Sequence, residues 1–523
     1  MKIEKILENR MLAGLGILFI FSVVVSLVLA GDVIINAPAG EINATTINAP
    51  TGRTATYVVC ANDSVNKAQC DYVCDGVADN VEIQAAIDAL PDSGGKVILM
   101  DGTYYVNVSI KLKSNISLMG VGKSTRIVNS GTVSGDDYTL KAEGNSTNQI
   151  ERIEVRDLSL NILNSKDDAV TFMHVKDGII ENLYINSSGE EDIELIGKCE
   201  NIIIRDNRII GGGYNSNPQI DIYFDVSTTT KAKNVRIDGN ILSDAIDAPS
   251  IKVLGDYIIV RNNVIENNKN NGIKVIEESG APSGNIILDS NIIYSNISPS
   301  SNSTSIGIEC MGDSSNIITN IQITNNKIYK VGKYAILIKY TNNVLIEGNQ
   351  IDNCGLHAGW YNSIYAEEIN HCSVVGNIVT NANSHALRLA SHVYNATILS
   401  NKLTLSNGYG IYVDSDASSN VLKNNDVRDN SNSPAIYLGG SGNQVRGNIG
   451  YTTENSGNIS KKNGDTISHG LDCTPTYISV TPSNADHIAS VTAKSSSTFT
   501  LGLKDYNGTA ITTPEEIYWY AEC

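Results

Sequence analysis

Positive charge is scarce in this chain. Across 523 residues, 38 Lys and Arg stand against 56 Asp and Glu, giving a net charge of −18. A nucleic-acid backbone needs basic stripes to displace its counterions, so no nucleic acid is expected as a partner. A polyanionic sugar would be repelled as well, unless cations bridged it. Bulky apolar rings are few: 5 Phe and 2 Trp, against 24 Tyr. Tyrosine has an apolar face and a polar tip, which suits wet contact surfaces and the outside of a β-sheet alike. No Cys-x-x-Cys pair occurs. Cys70 and Cys74 lie four apart with no His near them, which argues against a zinc site. Long helical periodicity is almost absent.

A short phrase recurs instead: β-branched residues, an Asn or Asp, then another apolar pair. Examples are Ile203-Ile204-Arg205-Asp206-Asn207-Arg208-Ile209 and Ile259-Val260-Arg261-Asn262-Asn263-Val264-Ile265. The centres run Asp157, Asn182, Asn207, Asn240, Asn263, Asn291, Asn326, Asn349, Asn377, Asn401, Asn425 and Asn448, spaced 23 to 35 residues apart. Such a period marks a solenoid, whose repeats bury their apolar faces only by stacking. Short β-rich strands punctuated by Asn and Gly predict an all-β fold. The expected form is a right-handed single-stranded parallel β-helix of about twelve coils, with a capping helix and a small C-terminal β module. Asn side chains stacked in register would hydrogen-bond along the column, as amide ladders do in cross-β assemblies.

Lys2, Lys5 and Arg10 precede twenty uncharged residues, Met11 to Ala30. That pattern reads as a secretory signal or as an uncleaved anchor long enough to span a bilayer. Membrane contact is expected only through this segment, and the protein is expected to be secreted or held at the cell surface. Sequons at Asn107, Asn115, Asn145, Asn296, Asn302 and Asn395 fit a glycoprotein. With nine Cys in an exported chain, some disulfides are expected and at least one thiol is left over. Cys473 and Cys523 bracket the last segment as natural partners. Pairing among Cys60, Cys70 and Cys74 stays open, and Cys199, Cys310, Cys354 and Cys372 fall within coils as buried thiols.

Residues 31–56 read as a tether and 57–463 as the β-helix with its cap. In Asp75 to Leu90, Asp79 or Asn80 can cap a helix whose apolar face is Val81, Ile83, Ala86, Ile87 and Leu90. Gly94-Gly95 ends it, and Lys96 to Val106 gives the first strands. From Gly464 the pattern changes, and Thr474 to Val480 with Ile517-Tyr518-Trp519-Tyr520-Ala521 predicts a small β-sandwich-like module over 464–523. The cap, D-G-x-x-D-N-x-x-I-Q-x-A-I-D-A-L followed by G-G-x-V-x-L-x-x-G-x-Y, resembles that of the pectate-lyase-like β-helix superfamily, which includes phage tailspike-type proteins. The resemblance implies the fold and leaves activity open, because that superfamily holds lyases, hydrolases, epimerases and non-catalytic adhesins. Asp167-Asp168 resembles the Asp-Asp element of polygalacturonase-like hydrolases, but no Asn-Thr-Asp precedes it, no Arg-x-Lys follows, and the only His-Gly is His469-Gly470.

Two patches are expected on one outer face. Aligning Val170, Ile193, Ile222, Ile251 and their successors as inward residues places Thr171, Glu194, Tyr223, Lys252, Lys274, Glu309, Leu337, Tyr365, Arg388, Tyr412 and Tyr437 outward. The first patch is acidic: Asp167, Asp168, Asp192, Glu194, Asp221 and Asp225, with Tyr223. Asp168, Asp192, Glu194 and Asp221 could act as acid, base or nucleophile on a glycosidic bond. Asp192, Asp221 and Asp225 could instead hold Ca²⁺, the one possible cofactor, or the patch is a solvated face. The second patch joins His357, Trp360, Tyr365, Glu367, His385, Arg388, Tyr409, Tyr412 and Asp414. Tyr223, Trp360, Tyr365, His385, Arg388 and Tyr412 are the expected substrate-binding residues, suited to sugar recognition. His357 and His385 each lie eight residues past a ladder Asn and would stack if the turns match. The expected function is binding of extracellular or envelope polysaccharide by a monomer or homotrimer. The alternative is a polysaccharide lyase or glycoside hydrolase.

Overall fold

The computed structural model describes residues 55–523 except 132–137, 164–166, 188, 214–216, 279–282, 296–304, 358 and 360. The candidate signal or anchor at 11–30 and the tether therefore lie outside the described residues, as does Trp360. Among the described residues no helix is long and apolar enough to cross a membrane.

Each coil lays one strand on each of three walls, and each strand pairs in parallel with its counterpart in the next coil. The first wall includes Asp168–Met173, Ile193–Ile196, Ile220–Tyr223 and Ile251–Val253. The second includes Glu200–Arg205, Ala232–Asp238 and Gly255–Arg261. The third stacks twelve short strands, from Gly102–Val106 to Lys402–Thr404. Strands Ile336–Glu347 and Ile364–Val375 run without a break round the corner between the first two walls. The inward residues form one continuous aliphatic core along the solenoid. The β-helix fold expected from the period is present.

The turn from second to third wall explains the recurring phrase. Its first residue holds positive φ: Asp157 (58°), Asn182 (52°), Asp206 (55°), Gly239 (70°), Asn262 (56°) and Gly348 (65°). Gly, Asn and Asp enter that region at least cost and predominate there, with Ser290 and Ser400 taking it at 56° in two coils. The next residue points inward and builds the ladder. Asn207 Nδ2 donates to Asn240 Oδ1 at 2.9 Å, Asn240 to Asn263 at 2.9 Å and Asn263 to Asn291 at 3.0 Å. The column continues to Asn425, which donates to Asn448 at 2.9 Å. Asp157 and Asn182 are not part of it. They occupy the positive-φ position, and buried Leu158 and Leu183 take the ladder site in the first coils. The ladder starts at Asn207, whose Oδ1 accepts the Leu183 N–H at 2.9 Å.

The helix Asn80–Asp88 covers the amino end with Ile83, Ala86 and Ile87, followed by Leu90. Val81 departs from the expected apolar face and is exposed, because it lies in the first turn, away from the coil. Neither Asp79 nor Asn80 caps the helix by its side chain. The buried Asp79 carboxylate instead accepts the Gly76 and Tyr105 N–H groups at 2.8 and 2.7 Å, tying the cap loop to the first coil. Burial raises its pKa, and these two donors oppose the rise.

Beyond the coils two three-stranded antiparallel sheets pack together, Glu454–Lys461 with Glu515–Glu522 and Tyr477–Pro482, and Thr466–Ser468 with Thr498–Asp505 and His487–Lys494. Their core is Ile467, Phe499, Leu501, Leu503 and Ile517, with Trp519 edge-on to Phe499 at 5.8 Å. Its first strand begins at Glu454, ahead of the change of pattern at Gly464. Disulfides join Cys473 to Cys523 and Cys60 to Cys70, while Cys74, Cys199, Cys310, Cys354 and Cys372 are buried free thiols.

Candidate functional site on the first wall

The register of the first wall sets which side chains share its outer column. Val170 pairs with Ile193, Ile193 with Ile220, and Ile220 with Ile251. Ile220, not Ile222, therefore occupies the aligned inward position. The column reads Thr171, Glu194, Asp221, Lys252, Lys274, Glu309, Leu337, Tyr365, Arg388, Tyr412 and Tyr437. Tyr223 moves two residues along, opposite Ile196. A slip of two preserves the inward face, so apolar alternation cannot choose between Ile220 and Ile222. Residues two before each aligned inward position add a second row that touches the column, among them Asp168, Glu191, Asn271, Tyr334, His385 and Tyr409.

At the amino end four carboxyls converge: Asp168, Glu191, Glu194 and Asp221. Glu191, Glu194 and Asp221 each offer an oxygen within 4.8 Å of the others'. Asp168 Oδ1 accepts the Glu191 N–H at 3.2 Å, and Lys252 Nζ reaches Asp221 Oδ2 at 2.9 Å and lies 4.4 Å above the Tyr223 ring. The patch is not the solvated wall that alternation suggests, because all four carboxyls are less than 10% exposed. Burial dominates their titration. It pushes Glu191 up to about 9, helped by the Asp168 charge, and lifts Asp168 and Glu194 well above the carboxylate range. Burial raises Asp221 as well, against the pull of Lys252. Protonated Glu191 thus serves Asp168 as a hydrogen-bond donor.

Three of the expected acidic residues lie elsewhere. Asp192 is fully buried beneath Gly212, where a Cβ would come within 2.2 Å of its carboxylate. Burial drives its pKa far up, with Ser187 opposing. Asp225 closes its own turn by accepting the Ser227 and Thr228 hydroxyls at 2.7 Å, which together hold it near 2, and it faces His174 Nε2 at 3.2 Å. Asp167 is buried beside Asp168. The expected Ca²⁺ set of Asp192, Asp221 and Asp225 is thus not the set that converges. Glu191, Glu194 and Asp221 do, but Ca²⁺ takes six to eight oxygens, and Lys252 already supplies positive charge there. Tyr223 donates to Glu278 at 2.9 Å, and burial with that bond raises its pKa to about 12.

Glu191 carries a pH signature. Its folded pKa of about 9 stands above the ordinary 4.5, so its contribution is fully present below about pH 4.5 and is lost as pH rises toward 9. Glu191→Gln keeps a donor for Asp168 and removes the titration. The variant's melting temperature should exceed that of wild type by about 2 °C or more at pH 8.5, with the gap closing toward pH 5. Parallel melting curves across that range would refute the assignment.

At the carboxyl end the column turns aromatic. The His385 ring stacks on Tyr412 at 4.7 Å and 3°, and Tyr412 stacks on Tyr437 at 4.5 Å and 13°. Arg388 Cζ lies 5.8 and 5.3 Å from the Tyr365 and Tyr412 rings. Asp414 fixes the guanidinium through two bonds, 3.2 Å at Nε and 2.9 Å at Nη2. Tyr334 meets Tyr365 at 5.1 Å and Tyr361 at 5.2 Å. Tyr365 donates to Glu367, which pairs with Lys339 at 3.1 Å. Burial and the Arg388 charge hold His385 near 4, so the ring is neutral at pH 7, and its Nδ1 accepts the Tyr409 N–H at 3.0 Å. His357 does not stack on His385. The connection after Cys354 carries it away to Tyr361 at 5.7 Å, and His385 follows Asn362 in register.

Glu191, Tyr334 and Tyr361 complete these arrangements without having been singled out as site residues. For Glu191 and Tyr334 the signal is position two residues before the aligned inward residue, Ile193 and Ile336. A groove of about 450 Å³ on the second wall, lined by Asn234, Arg236, Tyr257, Ile259, Asn285 and Gln322, carries one charge and no acid–base pair.

Residues 301–449 match the family described as "Right handed beta helix region". No curated protein matches the chain. Among solved structures, the A-module of a mannuronan C-5 epimerase from Azotobacter vinelandii is 20% identical with a TM-score of 0.53, covering 72% of this chain and 96% of that one. A tailspike mutant of Escherichia coli bacteriophage HK620, in complex with a pentasaccharide, is 14% identical with a TM-score of 0.56, covering 85% and 89%. The tailspike gp49 of Pseudomonas phage LKA1 is 11% identical with a TM-score of 0.53, covering 84% and 92%. With the parallel register of every coil, these matches make the chain a right-handed parallel β-helix protein.

Proposed function

We propose that this is an exported cell-surface protein that binds polysaccharide along its first wall. The observation that carries the proposal is the aromatic stack His385–Tyr412–Tyr437 beside a pinned Arg388. Pyranose rings present C–H faces that pack on aromatic planes, and Arg388 with Glu367 and Asp414 supplies fixed partners for hydroxyls. Rows of such groups, repeated at the interstrand spacing of about 4.8 Å, suit a polymer better than a single sugar. The tailspike solved with a pentasaccharide uses the same fold, which supports the reading.

One observation favours a second reading, a polysaccharide lyase or hydrolase. Protonated Glu191 beside Asp168, Glu194 and Asp221 is the kind of mixed carboxyl set that can donate and accept protons. Their burial weighs against it, since a polymer has to reach them.

Incubating the protein with acidic and neutral polysaccharides, with and without Ca²⁺, tests both. Retention without cleavage is expected. New reducing ends or an unsaturated-uronate absorbance would replace binding by catalysis, and absence of both would refute both. Export is tested separately by cell fractionation: recovery only from the cell interior would overturn that part.

A further inference from the structure

The terminal module carries a second contact surface, separate from the first wall. Its central strand, Glu515–Glu522, sends Ile517, Trp519 and Ala521 into the module core. Alternation therefore turns Glu516, Tyr518, Tyr520 and Glu522 outward. The flanking strands extend this outer face with small polar side chains. Tyr520 lies between Ser456 and Ser479, Tyr518 between Asn458 and Thr481, and Glu522 between Glu454 and Tyr477. Tyr477 and Tyr518 are 57% and 48% exposed, in a protein whose large side chains mostly pack inward.

The rings are held in place. Tyr518 donates to Glu516 at 3.0 Å, and Tyr520 to Glu522 at 2.9 Å and Glu454 at 3.4 Å. Asn458 Nδ2 donates to the same Glu516 at 3.0 Å. Tyr477 and Tyr520 lie 6.4 Å apart, and Tyr518 sits two residues from Tyr520, about 7 Å along the strand. Three tyrosines thus step across one face of the sheet, and carboxylates leash the hydroxyls of Tyr518 and Tyr520. Pre-ordered rings lose little rotamer freedom on contact.

We propose that this face is a binding platform for a neutral polysaccharide. Charge selects the occupant. Glu454, Glu516 and Glu522 line the face, and the one ion pair to them among the described residues is Arg446 to Glu454 at 3.8 Å. Uronate or sulfate polymers would meet like charge. A neutral sugar chain offers C–H faces to the tyrosines, hydroxyl donors to the carboxylates and both kinds of group to Ser456, Asn458, Ser479 and Thr481. The platform does not depend on the first-wall reading, because it belongs to a different sheet with its own core.

The test uses the full-length protein and four insoluble matrices: cellulose, β-1,3-glucan, mannan and, as an anionic control, a polyuronate gel. The parent carries Arg388→Ala and Tyr412→Ala, so that first-wall binding does not contribute. At least one neutral matrix should retain this parent. Adding Tyr518→Ala and Tyr520→Ala should weaken retention tenfold or more with the melting temperature unchanged, and Tyr518→Phe should retain it. Equal retention with and without the two tyrosines, or no retention on any neutral matrix, would overturn the proposal. So would a tyrosine-dependent preference for the polyuronate. A dimer in sedimentation that the tyrosine variants dissolve would assign the face to a second copy of the chain instead.

Discussion

Asn326→Asp is expected to remove about 4 kcal/mol of stability at pH 7. Asn326 Nδ2 donates to Leu288 O at 2.8 Å and Asn349 Oδ1 at 3.0 Å, while its Oδ1 accepts the N–H and Nδ2 of Asn291 at 2.9 and 3.0 Å. A carboxylate keeps the two acceptances and turns both donations into contacts between acceptors, fully out of water. The folded-state pKa of the new group would be raised, so its cost should fade as pH drops and the proton returns. Asn448→Asp is the control. That residue ends the ladder, donates only to Leu422 O and is 7% exposed. Urea unfolding of the two variants should separate them by at least 2 kcal/mol, given one lost donation against two. Equal costs would mean that the amides stack without supporting one another.

Tyr365→Ala with Tyr412→Ala should weaken polysaccharide binding on the order of 100-fold while leaving the coils folded. Both rings flank Arg388, and Tyr412 also lies between His385 and Tyr437. Losing them removes the platform and frees the guanidinium to swing from its stacked plane. Both side chains are only partly buried on the outside of the wall, so the core is untouched. Isothermal titration against the best polymer from the panel gives the readout. Unchanged affinity in the double variant would detach function from this stack and return attention to the carboxyl cluster at the amino end, Asp168 to Asp221.

The solenoid is legible because two residue choices repeat in most coils: a Gly, Asn or Asp for positive φ, then an Asn for the ladder. Where those roles separate, the pattern misleads. Asp157 and Asn182 satisfy the first role while Leu158 and Leu183 take the second, so the earliest centres fall one residue short. At Ile220-Asp221-Ile222 two equivalent isoleucines hide a slip of two, which moved Asp221 into the column and Tyr223 out of it. Alternation also reports only which side of a strand a residue takes. It could not show that the second row covers that side, which is why Glu194 and Asp221 are buried. His357 was misplaced for a related reason: ladder spacing counts residues, while the path of the connection decides where they go.

The outer column also has a length. From Lys252 to Tyr437 it climbs seven coils, roughly 34 Å at the interstrand spacing. Its two ends differ in kind, basic and acidic below and aromatic above, so the wall is a ruler with a direction. Oligosaccharides should gain affinity with each added sugar until they reach from one end to the other, and gain nothing further. A chain laid down in reverse would put its reducing end against the wrong chemistry, so the same scale that measures a polymer also sorts its polarity.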